Sequence, residues 1–224
     1  MSLPRRFDPA VPEMMDRPGQ DLDLLRDDLT VLETINRRLG GHALALRYVA
    51  KFRPRTILDL ATGGADVPRT IASRFDVAIT AVDANPDILQ IARERSVGFA
   101  NIRVEQHNLL ALPYAPGSFD VVLCSLTLHH FAEADVVAIL RRIRDIARVG
   151  FVVNDLRRNR VANWLSKLMA ATIITNPIAR FDAPASCERA FTVDELRTLA
   201  ERAGLEHFEI HRHRIFRMAL VGRK

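Results

Sequence analysis

Apolar and polar residues alternate along residues 56–154 with two different periods. Short runs rich in Val, Ile and Leu predict five buried strands, at residues 56–60, 77–82, 102–106, 119–125 and 150–154. Between these runs apolar residues recur at helical spacing, which predicts helices at 66–75, 86–97 and 133–148. Buried strands that alternate with amphipathic helices are typical of parallel βαβ units, so an α/β fold is expected.

The last part of the chain predicts one more helix and a hairpin. Thr192 and Glu195 form a capping box, an apolar stripe follows them, and Gly204 ends the helix. Two further strands are predicted at residues 205–212 and 215–221. So few residues join them that they must pair as an antiparallel hairpin.

Two segments lie outside this alternation. Residues 1–52 begin as a Pro-rich arm and continue as a helix with a leucine stripe that ends at Gly40-Gly41. Residues 157–190 contain apolar stretches that Asn176-Pro177 and Asp182-Ala183-Pro184 are expected to interrupt. We therefore predict an N-terminal arm and helical cap at 1–52 and an α/β domain at 53–224. An insertion at about 157–190 is expected to cover the crevice at the carboxyl ends of the strands, where such sheets bind ligands.

Composition narrows the class of protein. The hydrophobic fraction of 48% and the charged fraction of 26% are ordinary for a globular chain, and no apolar run is long enough to cross a membrane. Only two cysteines and no secretion signal point to a reducing, cytoplasmic location. The net charge is +5, but aromatic residues make up only 6% and do not alternate with the basic ones, so we do not expect a nucleic-acid partner.

The loop after the first predicted strand carries the clearest chemical signal. Asp59 is followed by the small residues Ala61, Thr62, Gly63 and Gly64, and a helix begins just beyond them. Small residues allow a ligand to approach the backbone closely, next to the free N–H groups of a helix N-terminus. Asp83 ends the second strand, where a carboxylate can accept hydrogen bonds from ribose hydroxyls. Together these features predict a ligand that contains a nucleoside.

The loop does not fit a dinucleotide. The pattern G-x-G-x-x-G is absent, since the next glycine after Gly64 is Gly98, and Asp66 lies where a pyrophosphate would be. A ligand with a carboxylate, an ammonium group and a sulfonium suits a loop flanked by acids better. S-adenosylmethionine is such a ligand.

The run "DLATGGADVP" resembles motif I of the class I S-adenosylmethionine-dependent methyltransferases, in the D-L-A-G-G-T-G-D form of the ubiquinone/menaquinone-biosynthesis type. The runs "AVDANPDIL", "HNLLALPYAPGSFDVVLCSLTLHHF" and "GFVVNDLRRNR" resemble later motifs, so the likeness covers Arg55 to Asp155. The runs "PEMMDRP" and "AFTVDELRTLAERAGL" resemble small bacterial enzymes encoded beside type III polyketide synthases, which methylate phenols. One departure is Ala65, which stands where the pattern usually has glycine.

The resemblance implies a fold, a cofactor and a set of contacts. The fold is a Rossmann-like three-layer sandwich whose seven-stranded, mostly parallel sheet has an antiparallel C-terminal strand. The cofactor is S-adenosylmethionine, with S-adenosylhomocysteine as product. Asp59 and the loop after it would hold the methionine part, Asp83 the ribose, and Ala84 the adenine. The resemblance also implies that Asn108 and Leu109 contact the adenine. Ser125 and Leu126 would lie near the sulfonium.

Two histidines follow the fourth strand, where the methyl group should emerge. One of them is interpreted either as the general base that deprotonates the acceptor or as a residue that packs against the next helix. Adjacent residues should point in different directions, so at most one is expected to face the acceptor, with His129 preferred over His130. Asp155 ends the fifth strand and could orient a histidine, bind an acceptor hydroxyl or cap a helix. By resemblance, Asn36 and Arg37 also reach the crevice.

No metal is expected from the sequence, because His211 and His213 lack a third ligand at suitable spacing. The sequence thus predicts an S-adenosylmethionine-dependent methyltransferase that acts on a small-molecule acceptor, at the hydroxyl of an aromatic or polyketide-like compound. C-methylation of a quinol, a non-catalytic cofactor-binding protein and an RNA methyltransferase stay open as alternatives. Neither a membrane nor a nucleic acid is expected as a partner, and the chain should be a monomer or a homodimer.

Overall fold

A computed structural model describes residues 3–17, 19–213 and 215–224, so Pro18 of the "PEMMDRP" run and the first two residues of the arm lie outside it. Within that part of the chain seven strands form one sheet: β1 (Thr56–Leu60), β2 (Ala78–Asp83), β3 (Ile102–Gln106), β4 (Phe119–Ser125), β5 (Ala147–Leu156), β6 (Phe208–His213) and β7 (Arg217–Arg223). Their order is β3-β2-β1-β4-β5-β7-β6. The first five pair in parallel, and β7 is antiparallel to both of its neighbours. This arrangement confirms the predicted fold class.

The helices of the described residues are α1 (Leu22–Arg38), α2 (Gly41–Phe52), α3 (Asp66–Ala72), α4 (Pro86–Arg95), α5 (Glu133–Ile146), α6 (Arg160–Thr172), α7 (Pro177–Arg189) and α8 (Val193–Arg202). Several begin where the side chain of an Asp, Asn or Thr accepts backbone N–H groups of the first turn: Asp21, Asn85, Asn159, Asn176 and Thr192. The predicted capping box of Thr192 and Glu195 is present. None of these helices combines the length and the apolar character that crossing a bilayer requires.

Helices pack on both faces of the sheet because successive strand residues point to opposite sides. Leu58 of β1 joins a core that contains apolar residues of α5 and α8. Its neighbour Ile57 joins a second core, with apolar residues of α2 and α3. A smaller cluster links Leu25 and Leu29 of α1 to α4. The result is the expected three layers of helix, sheet and helix.

The structure differs from the sequence-based expectations at two places. The helix with the leucine stripe does end just before Gly40-Gly41, but a second helix was not expected: Gly40 turns the chain with a φ of 84° and α2 begins at once. Glycine is also needed at position 41, where a Cβ would lie 1.7 Å from Oδ1 of Asn36. Pro184 does not interrupt the second segment, since α7 continues through it, whereas Asn176-Pro177 does mark a helix start.

The N-terminal segment and α6–α7 meet above the carboxyl ends of the strands. The side-chain amide of Asn176 donates to the backbone of Leu24 at 2.9 Å. The carboxylate of Asp182 in α7 accepts the backbone N–H groups of Met14 and Met15 at 2.7 and 3.0 Å. These contacts bring residues 13–16, α1, α6 and α7 together over one end of the sheet.

Candidate active site

A cavity of about 650 Å³ lies under these covering segments. Most of the residues that the sequence predicted for the site line it: Asp59, Ala61, Thr62, Gly63, Gly64, Asp83, Ala84, Leu109, Ser125, Leu126, His129 and His130. Asn108 does not, because its side chain accepts the backbone N–H of Leu110 at 2.9 Å and caps the turn Leu109–Ala111. Asp155 lies behind the wall, and Asn36 lines the cavity although Arg37 does not.

The loop between β1 and α3 is held in shape by its own residues. The hydroxyl of Thr62 donates to the carboxylate of Asp59 at 2.7 Å, and the backbone N–H of Gly63 donates to Asp83 at 3.0 Å. Ala61 and Ala65 adopt the left-handed region, with φ of 51° and 56°, which is unusual for residues with a Cβ. The loop therefore presents a fixed backbone surface to the cavity.

The acids around the loop differ in charge because their surroundings differ. Burial raises the pKa of Asp59 to about 7, so this carboxyl is partly protonated near neutral pH. Burial alone would also raise the pKa of Asp66. Hydrogen bonds from His42 at 2.6 Å and Asn36 at 2.8 Å outweigh that effect and lower it. Asp66 is thus the ionised carboxylate at the start of α3.

Arg217 in β7 is a buried cation that sequence reasoning missed. It is 2% exposed, lines the cavity, and its Nη1 has no hydrogen-bond partner among the described residues. Burial lowers its pKa to about 10, although the charges of Asp155 and Asp66 act in the opposite direction. In the sequence, the one signal for it was a charged residue at the edge of the apolar run "MALV". An unpartnered guanidinium nitrogen in a cavity can bind an anion.

His129 and Asp155 form a buried pair beside the cavity. Nδ1 of His129 lies 2.7 Å from the carboxylate of Asp155, which also accepts the backbone N–H groups of His129 at 3.2 Å and of Leu156 at 2.7 Å. Burial favours the neutral form of Asp155, but His129 outweighs it and lowers the pKa of this carboxyl. An ionised Asp155 keeps the proton on Nδ1, so Nε2 of His129 is left free to face the cavity.

His130 also faces the cavity, so the expectation that only one of the two histidines would do so is wrong. Both residues lie in the one-turn 3₁₀ helix Leu128–His130, where neighbouring side chains do not alternate as they do in a strand. Their ring centroids are 4.4 Å apart. Nδ1 of His130 lies 2.6 Å from the carboxylate of Asp16. Burial disfavours its charged form, but Asp16 and Glu13 outweigh this and raise its pKa to about 9.

Further acids that the sequence analysis did not select close the cavity: Glu13, Asp16, Asp28 and Asp182. Glu13 and Asp28 are each 1% exposed. Both carboxylate oxygens of Asp28 lack a partner in the described part of the chain, and burial raises its pKa to about 7. Asp28 could have been noticed, since it lies on the leucine stripe of α1 between Leu25 and Leu29. Glu13 gave no such signal.

Comparisons with known proteins agree with this architecture. Residues 57–150 match a family model described as a methyltransferase domain. Over 126 residues the chain is 33% identical to the demethylmenaquinone methyltransferase of Deinococcus radiodurans, a match that covers 55% of this chain and 51% of that protein. The chain thus spans about half the length of this curated relative.

Two solved structures share the fold. Human N-acetylserotonin methyltransferase, crystallised with S-adenosylmethionine, is similar with a TM-score of 0.70 at 16% identity, over 91% of this chain and 56% of that one. An S-adenosylmethionine-dependent methyltransferase from Aquifex aeolicus gives a TM-score of 0.58 at 15% identity, over 97% and 99% of the two chains. At these identities the likeness concerns the fold.

Proposed function

We propose that this chain, a class I S-adenosylmethionine-dependent methyltransferase similar to the ubiquinone/menaquinone-biosynthesis type, methylates the hydroxyl of a small aromatic or polyketide-like acceptor. The observation that carries this proposal is the His129–Asp155 pair. His129 of this pair lines the same cavity as the loop after β1, so a candidate base and a candidate cofactor loop share one space.

S-adenosylmethionine is the cofactor of this family, and the charged groups around the loop fit it. Asp66, kept ionised by two donors, would accept hydrogen bonds from the ammonium group of the amino-acid part. Arg217 has an unpartnered nitrogen for the carboxylate of that part. Asp83 lines the cavity at the end of β2 and would accept the ribose hydroxyls. The ammonium and the carboxylate of the cofactor's amino-acid part would thus each have a counterpart of opposite sign.

When bound, the cofactor supplies a methyl group on a positively charged sulfur. The protein must then deprotonate the acceptor and hold its oxygen in line with that methyl group. A phenol has a pKa of about 10, so it needs a base to react well near neutral pH. Nε2 of His129 would take the proton, and the charge of Asp155 would stabilise the imidazolium that forms.

Apolar side chains of the covering segments also line the cavity beside its acidic residues, which supports an aromatic acceptor. Its lining includes Leu32 of α1, Leu165 and Met169 of α6, and Phe216 next to β7. We infer that residues 1–52 act as a cap and that 157–190 act as an insertion in the domain 53–224, so that both segments exclude water from the reaction.

C-methylation of a quinol is a second candidate, favoured by the likeness to the demethylmenaquinone methyltransferase. A quinol also has to lose a hydroxyl proton before its ring carbon attacks the methyl group, so the same histidine would serve. The two reactions differ in the atom that carries the new methyl group. Nuclear magnetic resonance of the product distinguishes an oxygen-bound methyl from a carbon-bound one.

The test uses the protein after chelator treatment, with S-adenosylmethionine labelled in its methyl group and a panel of phenols, quinols and tRNA. We expect the label in a phenol. We also expect His129→Asn to reduce the rate at least about 100-fold, while cofactor affinity measured by calorimetry stays within about threefold. His107→Asn is the matched control, because His107 also pairs with a carboxylate, that of Glu105, outside the cavity. Cofactor binding without transfer to any acceptor would contradict the proposal, and so would label in tRNA alone.

A further inference from the structure

We propose that Glu13, His129 and His130 form a binding site for one divalent transition-metal cation at the acceptor end of the cavity. Nε2 of His129 lies 3.9 Å from Oε1 of Glu13, and Nε2 of His130 lies 3.9 Å from Oε2. The candidate ligand atoms all lie within 4.8 Å of one another. Two imidazoles and a carboxylate are a donor set typical of Zn²⁺ and Fe²⁺ sites.

The orientation of both rings supports a cation. Each histidine has its Nδ1 held by a different carboxylate, Asp155 for His129 at 2.7 Å and Asp16 for His130 at 2.6 Å. Protein metal sites commonly hold a ligating histidine in this way, because the second carboxylate fixes the ring and leaves Nε2 for the metal. Both Nε2 atoms lie 3.9 Å from the same buried carboxylate, and binding of a cation would displace the proton that His130 carries near neutral pH.

One oxygen of the buried Glu13 carboxylate is without a hydrogen-bond donor in the described part of the chain. The side chain is 1% exposed, and the oxygen without a donor is Oε1. Ser186 donates to Oε2 at 2.9 Å, and Nη1 of Arg189 lies 3.4 Å from Oε1. Arg189 opposes a cation. However, its Nη2 donates to the backbone of Val11, so the guanidinium is shared with that carbonyl.

The spacing leaves room for a metal ion. Ligands at about 2.0–2.2 Å from a tetrahedral or octahedral metal lie about 3–3.5 Å apart, so the two 3.9 Å gaps must close by about half an ångström. All three ligand residues line the cavity, so coordination positions that they leave open would be reached from it. A catalytic metal site keeps such an open position for a substrate oxygen.

This proposal differs from the sequence-based expectation that the protein binds no metal. Its first claim is that the site binds a cation, and a role of the cation in methyl transfer is a separate step. A cation on Nε2 of His129 replaces the proton that this nitrogen would otherwise accept. If the proposed function holds, a cation-loaded protein would therefore lower the pKa of the acceptor hydroxyl through the metal, and the hydroxyl proton would pass to water. Acceptors with two adjacent oxygen donors, such as catechols, would then be preferred. Only this last step rests on the proposed function.

The test titrates chelator-treated protein, without acceptor, with Zn²⁺ alone or Co²⁺ alone. Calorimetry should give one cation per chain, and Co²⁺ should give visible absorption of a protein-bound ion. Glu13→Gln and His129→Asn should each weaken binding at least about tenfold. His211→Asn is the matched control, because His211 lies 2.9 Å from Glu209 on β6, outside the cavity, and should leave binding unchanged.

X-ray absorption at the zinc edge of the wild-type protein gives a second measurement that needs no variant. Two imidazole ligands and at least one further oxygen are expected. The proposal is overturned if no cation binds, if fewer than two imidazoles ligate it, or if His211→Asn is the variant that loses binding. Methyl transfer by the chelator-treated protein is measured separately. An absence of cation binding can therefore be distinguished from an absence of the proposed methyltransferase activity.

Discussion

Asp155→Asn tests the pairing that the proposed reaction depends on. In the wild-type protein Oδ1 of Asp155 meets Nδ1 of His129 and the backbone N–H of Leu156, and Oδ2 accepts the backbone N–H of His129. An asparagine has only one acceptor oxygen. In one orientation its NH₂ group faces the backbone N–H of His129. In the other orientation it faces Nδ1 and moves the ring proton to Nε2.

Both orientations remove the charge that stabilises the imidazolium. A positioned general base contributes about 10² to 10⁴ in rate, or about 3–5 kcal/mol. We therefore expect the rate of methyl transfer by the chelator-treated Asp155→Asn variant to fall by about that factor. Affinity for S-adenosylmethionine should stay within about threefold, because Asp155 does not line the cavity. The assay is single-turnover transfer of labelled methyl, with affinity measured by calorimetry.

The matched control is Asp120→Asn. Asp120 is 5% exposed and accepts the backbone N–H groups of Arg55 and Thr56, but it lies at the opposite end of β4 from the cavity. This variant should lose stability and keep its rate below its melting temperature. If Asp155→Asn kept more than about a tenth of the wild-type rate, the assignment of His129 as base would be refuted.

Three further outcomes are expected. Asp83→Ala should weaken cofactor binding in calorimetry at least about tenfold, because charged hydrogen bonds are lost, whereas exposed Asp76 at the other end of β2 tolerates the same change. Arg217→Met should weaken cofactor binding about tenfold or more, and Arg212→Met on β6 should not; equal affinities would exclude Arg217 as the carboxylate partner. Burial would raise the pKa of Asp120, but Arg148 and two backbone N–H groups lower it overall. Urea unfolding should therefore show that Asp120→Asn costs about 1–3 kcal/mol at pH 7, and that this difference disappears as the pH falls below about 3.9.

The central strands β1 and β4 could be predicted because they are buried on both faces. Residues 56–60 and 119–125 are mostly apolar, and the structure gives β1 and β4 the same bounds. Helix α2 was missed for a physical reason. The pair Gly40-Gly41 resembles a helix end, but it is a tight corner where the side chain of Asn36 packs against a bare Cα.

Some residues of the candidate site could be identified from their neighbours in the sequence, and others only from tertiary packing. The loop after β1 and the end of β2 carry their signal within a few residues, so Gly63 and Asp83 could be placed at the cavity from the sequence. Glu13 and Arg217 come from opposite ends of the chain, and only tertiary packing brings them to the same cavity. Burial and an unpartnered polar atom are what identify them, and neither property is visible in a sequence.

Among the described residues, four that line the cavity have positive φ angles without being glycine: Ala61, Leu126, Ile215 and Phe216. Each such conformation is unfavourable by about 1–2 kcal/mol in an unconstrained chain. The surrounding core imposes these angles before any ligand arrives. The conformational entropy of this wall is therefore lost when the protein folds and not when a ligand binds. Affinity for small molecules at this wall is consequently coupled to overall stability, and mutations that loosen the distant core should broaden the ligand specificity of the enzyme before they unfold it.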